Sequence, residues 1–162
     1  MRDWKLRLLE KKDNEAIAKI IRQVLTEFKA NRPGTVFTDP TTDDLYSIFL
    51  NDRSMYSVAE QDGEIMGGGG IYPTEGLPEG YCELVKLYLL AETRGKGIGK
   101  ALIEQCFSTA KHYGFTHIYL ESMPELSGAI SIYQKLGFKP IDAPLGNSGH
   151  FGCDIWMVKS LE

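Results

Sequence analysis

The chain has 162 residues, of which 43% are hydrophobic, so it is long enough to bury the core of one domain. Its 18 Lys and Arg against 22 Asp and Glu give a formal charge of −4 at pH 7, a balance that disfavours general nucleic-acid binding. Three cysteines without a CxxC pair are typical of reduced thiols, no Cys and His spacing suits zinc, and no apolar run is long enough for a membrane helix. We therefore expect one cytoplasmic domain over residues 1–162, without a metal, nucleic-acid or membrane partner.

The first part of the chain predicts a strand followed by two helices. Trp4 to Leu9 alternate between apolar and polar residues, which is typical of a strand. Apolar residues recur at helical spacing from Ile17 to Phe28, so a helix capped by Asp13 or Asn14 is expected there. A weak capping pattern precedes Leu45 to Phe49 and predicts a second, shorter helix.

A β-hairpin is predicted next. Residues 55–60 and 64–72 flank Asp62-Gly63, a dipeptide typical of tight turns between antiparallel strands. The second strand contains four consecutive glycines, Gly67 to Gly70, which sacrifice strand propensity and packing. Such a run indicates either a bulge or close approach by a ligand or neighbouring chain, or else a loose and mobile hairpin arm.

The second half of the chain predicts alternating strands and helices. Strands are expected over residues 83–90, 117–121 and 153–159, and helices over residues 98–113 and 129–136. The full order is β-α-α-β-β-β-α-β-α-β-β, which is typical of a mixed α/β fold with a single sheet.

The segment between the strand at 83–90 and the following helix carries the clearest chemical signal. It reads Arg94-Gly95-Lys96-Gly97-Ile98-Gly99-Lys100. Glycines allow backbone N–H groups to turn toward an anion at a helix N-terminus, and the basic side chains add attraction, so a phosphate is expected here. The spacing fits neither the GxGxxG dinucleotide motif nor a P-loop, in which Ser or Thr would replace Ala101. The alternative is a flexible basic turn that only caps the helix.

Two motifs resemble those of the GNAT superfamily of N-acetyltransferases. Arg94, Gly97 and Gly99 fill the family pattern Q/R-x-x-G-x-G/A between a strand and a helix. The segment from Ala129 through Tyr133 to Phe138 matches a second signature, A-x-x-x-Y-x-x-x-G-F. The resemblance implies a mixed, mostly antiparallel central sheet flanked by helices, with a splayed central strand.

The same resemblance implies acetyl-CoA as co-substrate. Its pyrophosphate would lie on residues 94–100, and its pantetheine would pair with the backbone of Leu87, Tyr88 and Leu89. Many members carry an asparagine that touches the cofactor three residues before the helix alanine, where this chain has Leu126. The implied reaction is transfer of the acetyl group to a primary amine of a small molecule or peptide, by direct attack in a ternary complex. A homodimer is a further expectation.

Two residues are candidates for the catalytic roles. Glu83 lies eleven positions before Arg94, where the histone-acetylating branch of the family carries its catalytic glutamate, and is the candidate base through a water molecule. That role requires burial to raise its pKa, and the alternative is an exposed carboxylate at a strand end. Tyr133 occupies the position from which the family tyrosine protonates the CoA sulfur, although its helical stripe also fits a core aromatic.

Other functions and the nature of the acceptor stay open at this point. A non-catalytic acyl-CoA-binding module would keep the glycine loop without needing Glu83 and Tyr133. A nucleotide-phosphate-binding protein of another fold is a second alternative. Glu121, His150 and Asp154 are further candidates for the substrate side. Because the chain is acidic, the three carboxylates Glu83, Glu121 and Asp154 predict a negative site that attracts a cationic amine.

Overall fold

The computed structural model describes residues 3–162 and has its elements in the predicted order, so Met1 and Arg2 lie outside the description. The strands are β1 (Trp4–Leu8), β2 (Met55–Gln61), β3 (Glu64–Tyr72), β4 (Tyr81–Leu89), β5 (His117–Ser122), β6 (Lys139–Ile141) and β7 (Ile155–Ser160). The α-helices are α1 (Asn14–Glu27), α2 (Leu45–Ile48), α3 (Ile98–His112) and α4 (Ser127–Lys135). The predicted bounds differ from these by one to three residues for most elements, which is usual because element ends are weakly encoded.

The seven strands form one sheet in the order β1-β2-β3-β4-β5-β7-β6. Every neighbouring pair is antiparallel except β4 and β5, which run parallel. The predicted mixed, mostly antiparallel sheet is therefore confirmed. Helices flank it on both faces, as expected from their amphipathic patterns.

Two large apolar clusters and a smaller third one, which contains Ile98, hold the helices to the sheet. On one face, Ile17, Ile21 and Leu25 follow each other at four-residue spacing along α1 and pack in the same cluster as Tyr56 and Val58 of β2. On the other face, buried residues of α3 and α4 join residues of β4, β5 and β7. That second set includes Ile103, Cys106, Leu84, Ile118, Met157 and Tyr133. The sheet is thus the middle layer, and its central strands are covered on both sides.

The central strands β4 and β5 separate partway along their length. They pair only over three positions, Tyr81 to Glu83 with His117 to Tyr119. Lys86 then adopts a left-handed backbone with φ of 53°, and the register of β3 with β4 shifts between Gly68 and Gly70. A bulge of this kind bends a strand and ends its pairing. The predicted splayed strand is confirmed, and it leaves an unpaired edge on β4 after Glu83.

The four-glycine run supports this bulge. A Cβ at Gly68 would lie 2.6 Å from the ring of Tyr56, and a Cβ at Gly70 would overlap the carbonyl oxygen of Met55. Since no side chain intervenes, the hydroxyl of Tyr56 reaches across β3 and donates a hydrogen bond of 2.7 Å to the carbonyl oxygen of Lys86. The run is buried in a paired strand, so it is a bulge approached by the chain's own neighbouring strand and not a loose arm.

Candidate active site

A cavity of about 260 Å³ opens where β4 leaves β5, and we call it the β4–β5 slot. Leu87, Tyr88 and Leu89, the three residues predicted to pair with a pantetheine, all line it. On their other side Tyr88 and Leu89 pair with the glycines of β3, so only the edge facing the slot lacks a strand partner. An extended ligand could therefore hydrogen-bond to that edge as an added strand would.

The glycine loop lies at the start of α3. Gly95 and Gly97 have φ of 82° and 83°, a left-handed conformation that favours glycine, and no atom lies within 4 Å of the Cβ that either residue lacks. α3 begins at Ile98, and the first N–H groups of a helix have no acceptor within the helix. Ile98 itself is buried in the core, so only its backbone can serve a ligand. Gly99 lines the β4–β5 slot, which places the loop beside it.

The basic residues of the loop have different surroundings. Lys96 and Lys100 are exposed, as an anion-attracting role requires. Arg94, in contrast, donates two hydrogen bonds, of 2.6 and 2.8 Å, to the carboxylate of Glu27 at the end of α1. Its guanidinium also lies over the ring of Phe28 and donates to the carbonyl oxygen of Leu89. Arg94 therefore joins α1 to β4 at the mouth of the slot, a contact that the sequence did not indicate.

Tyr133 lies on α4 and faces the slot while packing in the core. Its ring meets that of Phe138 edge to face at 5.7 Å, and the side chain is buried. The hydroxyl of a tyrosine is protonated at neutral pH even at its usual pKa, and burial raises the pKa of Tyr133 further. Within residues 3–162 the hydroxyl has no hydrogen-bond partner, which leaves its proton available for donation. The two interpretations of Tyr133 from the sequence are therefore compatible.

Glu83 is buried at the point where β4 and β5 separate. Its carboxylate accepts a hydrogen bond of 2.6 Å from the hydroxyl of Thr74. Burial raises the pKa of Glu83 to about 7, and the nearby carboxylate of Glu121 adds to the rise, while Thr74 and Lys86 oppose it. The exposed strand-end carboxylate considered from the sequence is wrong, because only 4% of Glu83 is accessible. The burial that a catalytic base needs is present.

A second cavity, of about 450 Å³, lies on the side of β4 that carries Glu83. Asp39, Tyr72, Glu83, Lys86 and His150 contribute to its lining, and we call it the acceptor-side cavity. A smaller cavity of about 40 Å³ is also lined by Glu83, Lys86 and His150. Lys86 lines both of these and the β4–β5 slot, so the three spaces meet at the bulge of β4.

The sequence did not single out Asp39 and Lys86 as residues of the site. The Nε2 of His150 donates to Asp39 Oδ2 at 2.8 Å, and the ammonium of Lys86 lies 3.8 Å from the same oxygen. Burial alone would raise the pKa of Asp39, but hydrogen bonds from His150 and Thr41 outweigh it and lower the pKa to about 2. Burial lowers the pKa of Lys86, and the charges of Asp39 and Glu83 offset part of that effect.

The expected acidic site forms only in part. Glu83 and Glu121 line the same small cavity, but both carboxylate oxygens of Glu121 accept hydrogen bonds, from Tyr119 and Ser148. These contacts hold the loop that carries His150. Asp154 is mostly exposed, lies 3.9 Å from a guanidinium nitrogen of Arg32, and lines neither cavity. Lys86, a cation, lines both cavities, and the third expected carboxylate, Asp154, lines neither.

Comparison with known sequences identifies the family. The sequence model of the Acetyltransferase (GNAT) family matches residues 21–138. This chain belongs to the GNAT family. The match includes both the glycine loop and the tyrosine of the second motif, so the resemblance inferred from these residues is confirmed, and with it the prediction of an acetyltransferase.

Relatives of this GNAT chain cover nearly its whole length. It is 41% identical over 157 residues to the uncharacterized N-acetyltransferase YjgM of Escherichia coli K12, covering 96% of this chain and 94% of that protein. A GNAT acetyltransferase structure from Staphylococcus aureus Mu50 has a TM-score of 0.85 at 20% identity, covering 98% and 99% of the two chains. The PaiA N-acetyltransferase of Thermoplasma acidophilum, solved with coenzyme A, has a TM-score of 0.78 at 21% identity and the same coverage. Within residues 3–162, no helix is long and apolar enough to cross a membrane.

Proposed function

We propose that this GNAT acetyltransferase moves an acetyl group from acetyl-CoA to a primary amine of a small molecule or peptide, by direct attack in a ternary complex. One observation carries the proposal. The β4–β5 slot, lined by Tyr133, meets the acceptor-side cavity, lined by Glu83, at the bulge of β4. Two substrates entering from opposite sides would thus have their reactive groups at one point, which direct transfer requires.

The chain's own residues fit coenzyme A. The unpaired edge of Leu87 to Leu89 suits the amide groups of a pantetheine, and the open glycines at 95 and 97 leave room for a diphosphate at the start of α3. The Thermoplasma protein of the same fold was solved with coenzyme A, which agrees with this assignment. When bound, acetyl-CoA supplies an acetyl group activated as a thioester.

Glu83 is proposed as the base, acting directly or through water. An amine attacks only in its neutral form, and a carboxylate whose pKa is about 7 is suited to accepting a proton near neutral pH. An exposed glutamate would be far too acidic for the task. The hydrogen bond from Thr74 fixes one carboxylate oxygen and leaves the other for the acceptor.

Tyr133 is proposed as the acid. Tyr133 lines the slot, its hydroxyl is protonated at neutral pH, and the hydroxyl has no other partner among the described residues. A proton delivered to the departing thiolate would prevent its return to the new amide. Burial fixes the ring against Phe138, so the hydroxyl is held in one place.

A non-catalytic acyl-CoA-binding module is the alternative. It would account for the slot and the glycine loop, but not for a buried carboxyl with a raised pKa where the two cavities meet. The nucleotide-binding alternative in another fold is excluded by the family match. We also propose that residues 1–162 form one domain that acts in the cytoplasm. The homodimer stays a prediction.

The test is acetyl-CoA turnover against a panel of amines, read as free thiol released. Amino acids, polyamines, aminoglycosides and peptide N-termini form the panel. We expect thiol release that depends on one class of amine and is strongly reduced in Tyr133→Phe. Coenzyme A binding without turnover across the panel would favour the non-catalytic module.

A further inference from the structure

The ammonium of Lys86 lacks the contacts that a buried charge normally has. Its side chain is 7% exposed, and its single ion pair, with Asp39, has an N···O distance of 3.8 Å. It makes no hydrogen bond to any residue in the part of the chain that the structure describes. An ammonium carries three donors, and those of Lys86 face the cavity without an acceptor from the described residues. A ligand that accepts hydrogen bonds is therefore the expected partner.

Asp39 does not hydrogen-bond to Lys86, because 3.8 Å is too long, and its oxygens already accept from other groups. Oδ1 accepts from the backbone N–H of Thr41 at 2.9 Å and from its hydroxyl at 2.7 Å, and Oδ2 accepts from His150 at 2.8 Å. These donors compensate much of the carboxylate's charge. Asp39 thus positions the ammonium, whose donors remain available at the edge of the acceptor-side cavity.

Glu83 and Lys86 present complementary chemistry to the same space. Both are on β4, both line the acceptor-side cavity, and they are near enough for each charge to affect the pKa of the other. A carboxylate forms a charge-assisted hydrogen bond with a protonated amine, and an ammonium forms one with a carboxylate. An α-amino acid carries an amine and a carboxylate on one carbon, which matches two opposite charges on one short stretch of strand.

We infer that Lys86 binds the carboxylate of the acceptor, so that the substrates are free α-amino acids with the amine at Glu83. This rests on the proposed function, because it assigns Glu83 to the reacting amine. Ile48, Phe49 and Val85 also line the cavity and provide an apolar wall for the amino-acid side chain. A polyamine has no group for Lys86 and would meet its positive charge.

The test compares acceptors that differ only in the carboxylate. Phenylalanine is paired with phenethylamine, leucine with 3-methylbutylamine, and methionine with 3-(methylthio)propylamine, with kcat/KM measured for each. For at least one pair we expect the amino acid to be preferred by about 10-fold or more, equal to about 1.4 kcal/mol. Lys86→Met should remove that preference by lowering kcat/KM for the amino acid at least about 10-fold more than for the decarboxylated amine, because any change in the pKa of Glu83 affects both acceptors alike.

Lys19→Met, on the exposed face of α1, is the matched control and should leave both rates unchanged. Lys86→Gln, which retains a donor, replaces Lys86→Met if the latter does not fold. Equal loss on both members of a pair would mean that Lys86 acts through a group that both reactions share, such as Glu83, and would overturn the inference, as would a wild-type enzyme that prefers the decarboxylated amines. If amines are acetylated without this preference, only the inference fails. If no amine is acetylated, the proposed function fails with it.

Discussion

Replacing Glu83 by glutamine should raise the free energy of unfolding of the protein and lower its kcat/KM. Burial is the main reason that the pKa of Glu83 rises from an ordinary value of 4.5 to about 7. That difference corresponds to about 3 kcal/mol by which the fold disfavours the ionised side chain. Glu83→Gln keeps the shape and the oxygen that accepts from Thr74, but it has no charge to bury.

The size of the stabilisation should depend on pH in a defined direction. The folded chain holds the proton of Glu83 more tightly than the unfolded chain, so the wild type loses stability as pH rises from 4.5 to about 7. Below that window both proteins have a neutral side chain at this position. The free energy of unfolding of Glu83→Gln should therefore exceed that of the wild type by little near pH 4.5 and by up to about 3 kcal/mol above pH 7.

Urea unfolding at several pH values measures this difference, with Glu64→Gln on the exposed part of β3 as the control. Glu64→Gln should show no such rise. The same Glu83→Gln protein should have a lower kcat/KM, and the wild type's increase in kcat/KM around pH 7 should be missing from it. A stability difference that does not change with pH would contradict the raised pKa of Glu83, and full activity in the variant would contradict its role as the base.

Three further substitutions test other parts of the site. Tyr133→Phe removes only a hydroxyl, so coenzyme A affinity by calorimetry should be retained while kcat falls roughly 10–1000-fold; unchanged kcat would leave Tyr133 a packing residue. Gly97→Asp adds a negative charge to the proposed phosphate site and should weaken coenzyme A binding at least about 10-fold. Gly63, in a remote turn, has the same left-handed backbone as Gly97, so Gly63→Asp should lower stability by a similar amount without weakening coenzyme A binding. Equal coenzyme A affinities in the two variants would count against the phosphate site. Tyr56→Phe should lower the free energy of unfolding by about 1–2 kcal/mol, because the carbonyl of Lys86 loses its buried donor, and no change in urea unfolding would contradict the role of this bond.

Local patterns explain what the sequence could predict. The helical spacing from Ile17 to Phe28, the turn at Asp62-Gly63 and the glycine loop before Ile98 each act within a few residues, and each element formed near its predicted position. The residues expected at the slot, Leu87 to Leu89, are there because a family motif fixes their position relative to the loop. The bounds of the short strand β6 were not predicted, since three residues carry too little pattern.

Contacts between distant parts of the chain explain which features the sequence could not predict. Asp39 and His150 are 111 positions apart and come from two irregular segments without a motif. The bulge that turns Lys86 toward both cavities occurs at a lysine with φ of 53°, and nothing in its own neighbourhood marks it. The pairing of Arg94 with Glu27 likewise depends on where α1 ends against the sheet.

In the proposed reaction, acetyl groups pass from acetyl-CoA to an amine at the junction of the two cavities. The most direct measurement is the amount of N-acetylated amine, by mass spectrometry, per free thiol released from acetyl-CoA by the wild-type enzyme. We expect one acetylated amine for each thiol, with both falling together in Glu83→Gln. Thiol release without an acetylated amine, or tight coenzyme A binding with neither product, would contradict the proposed reaction.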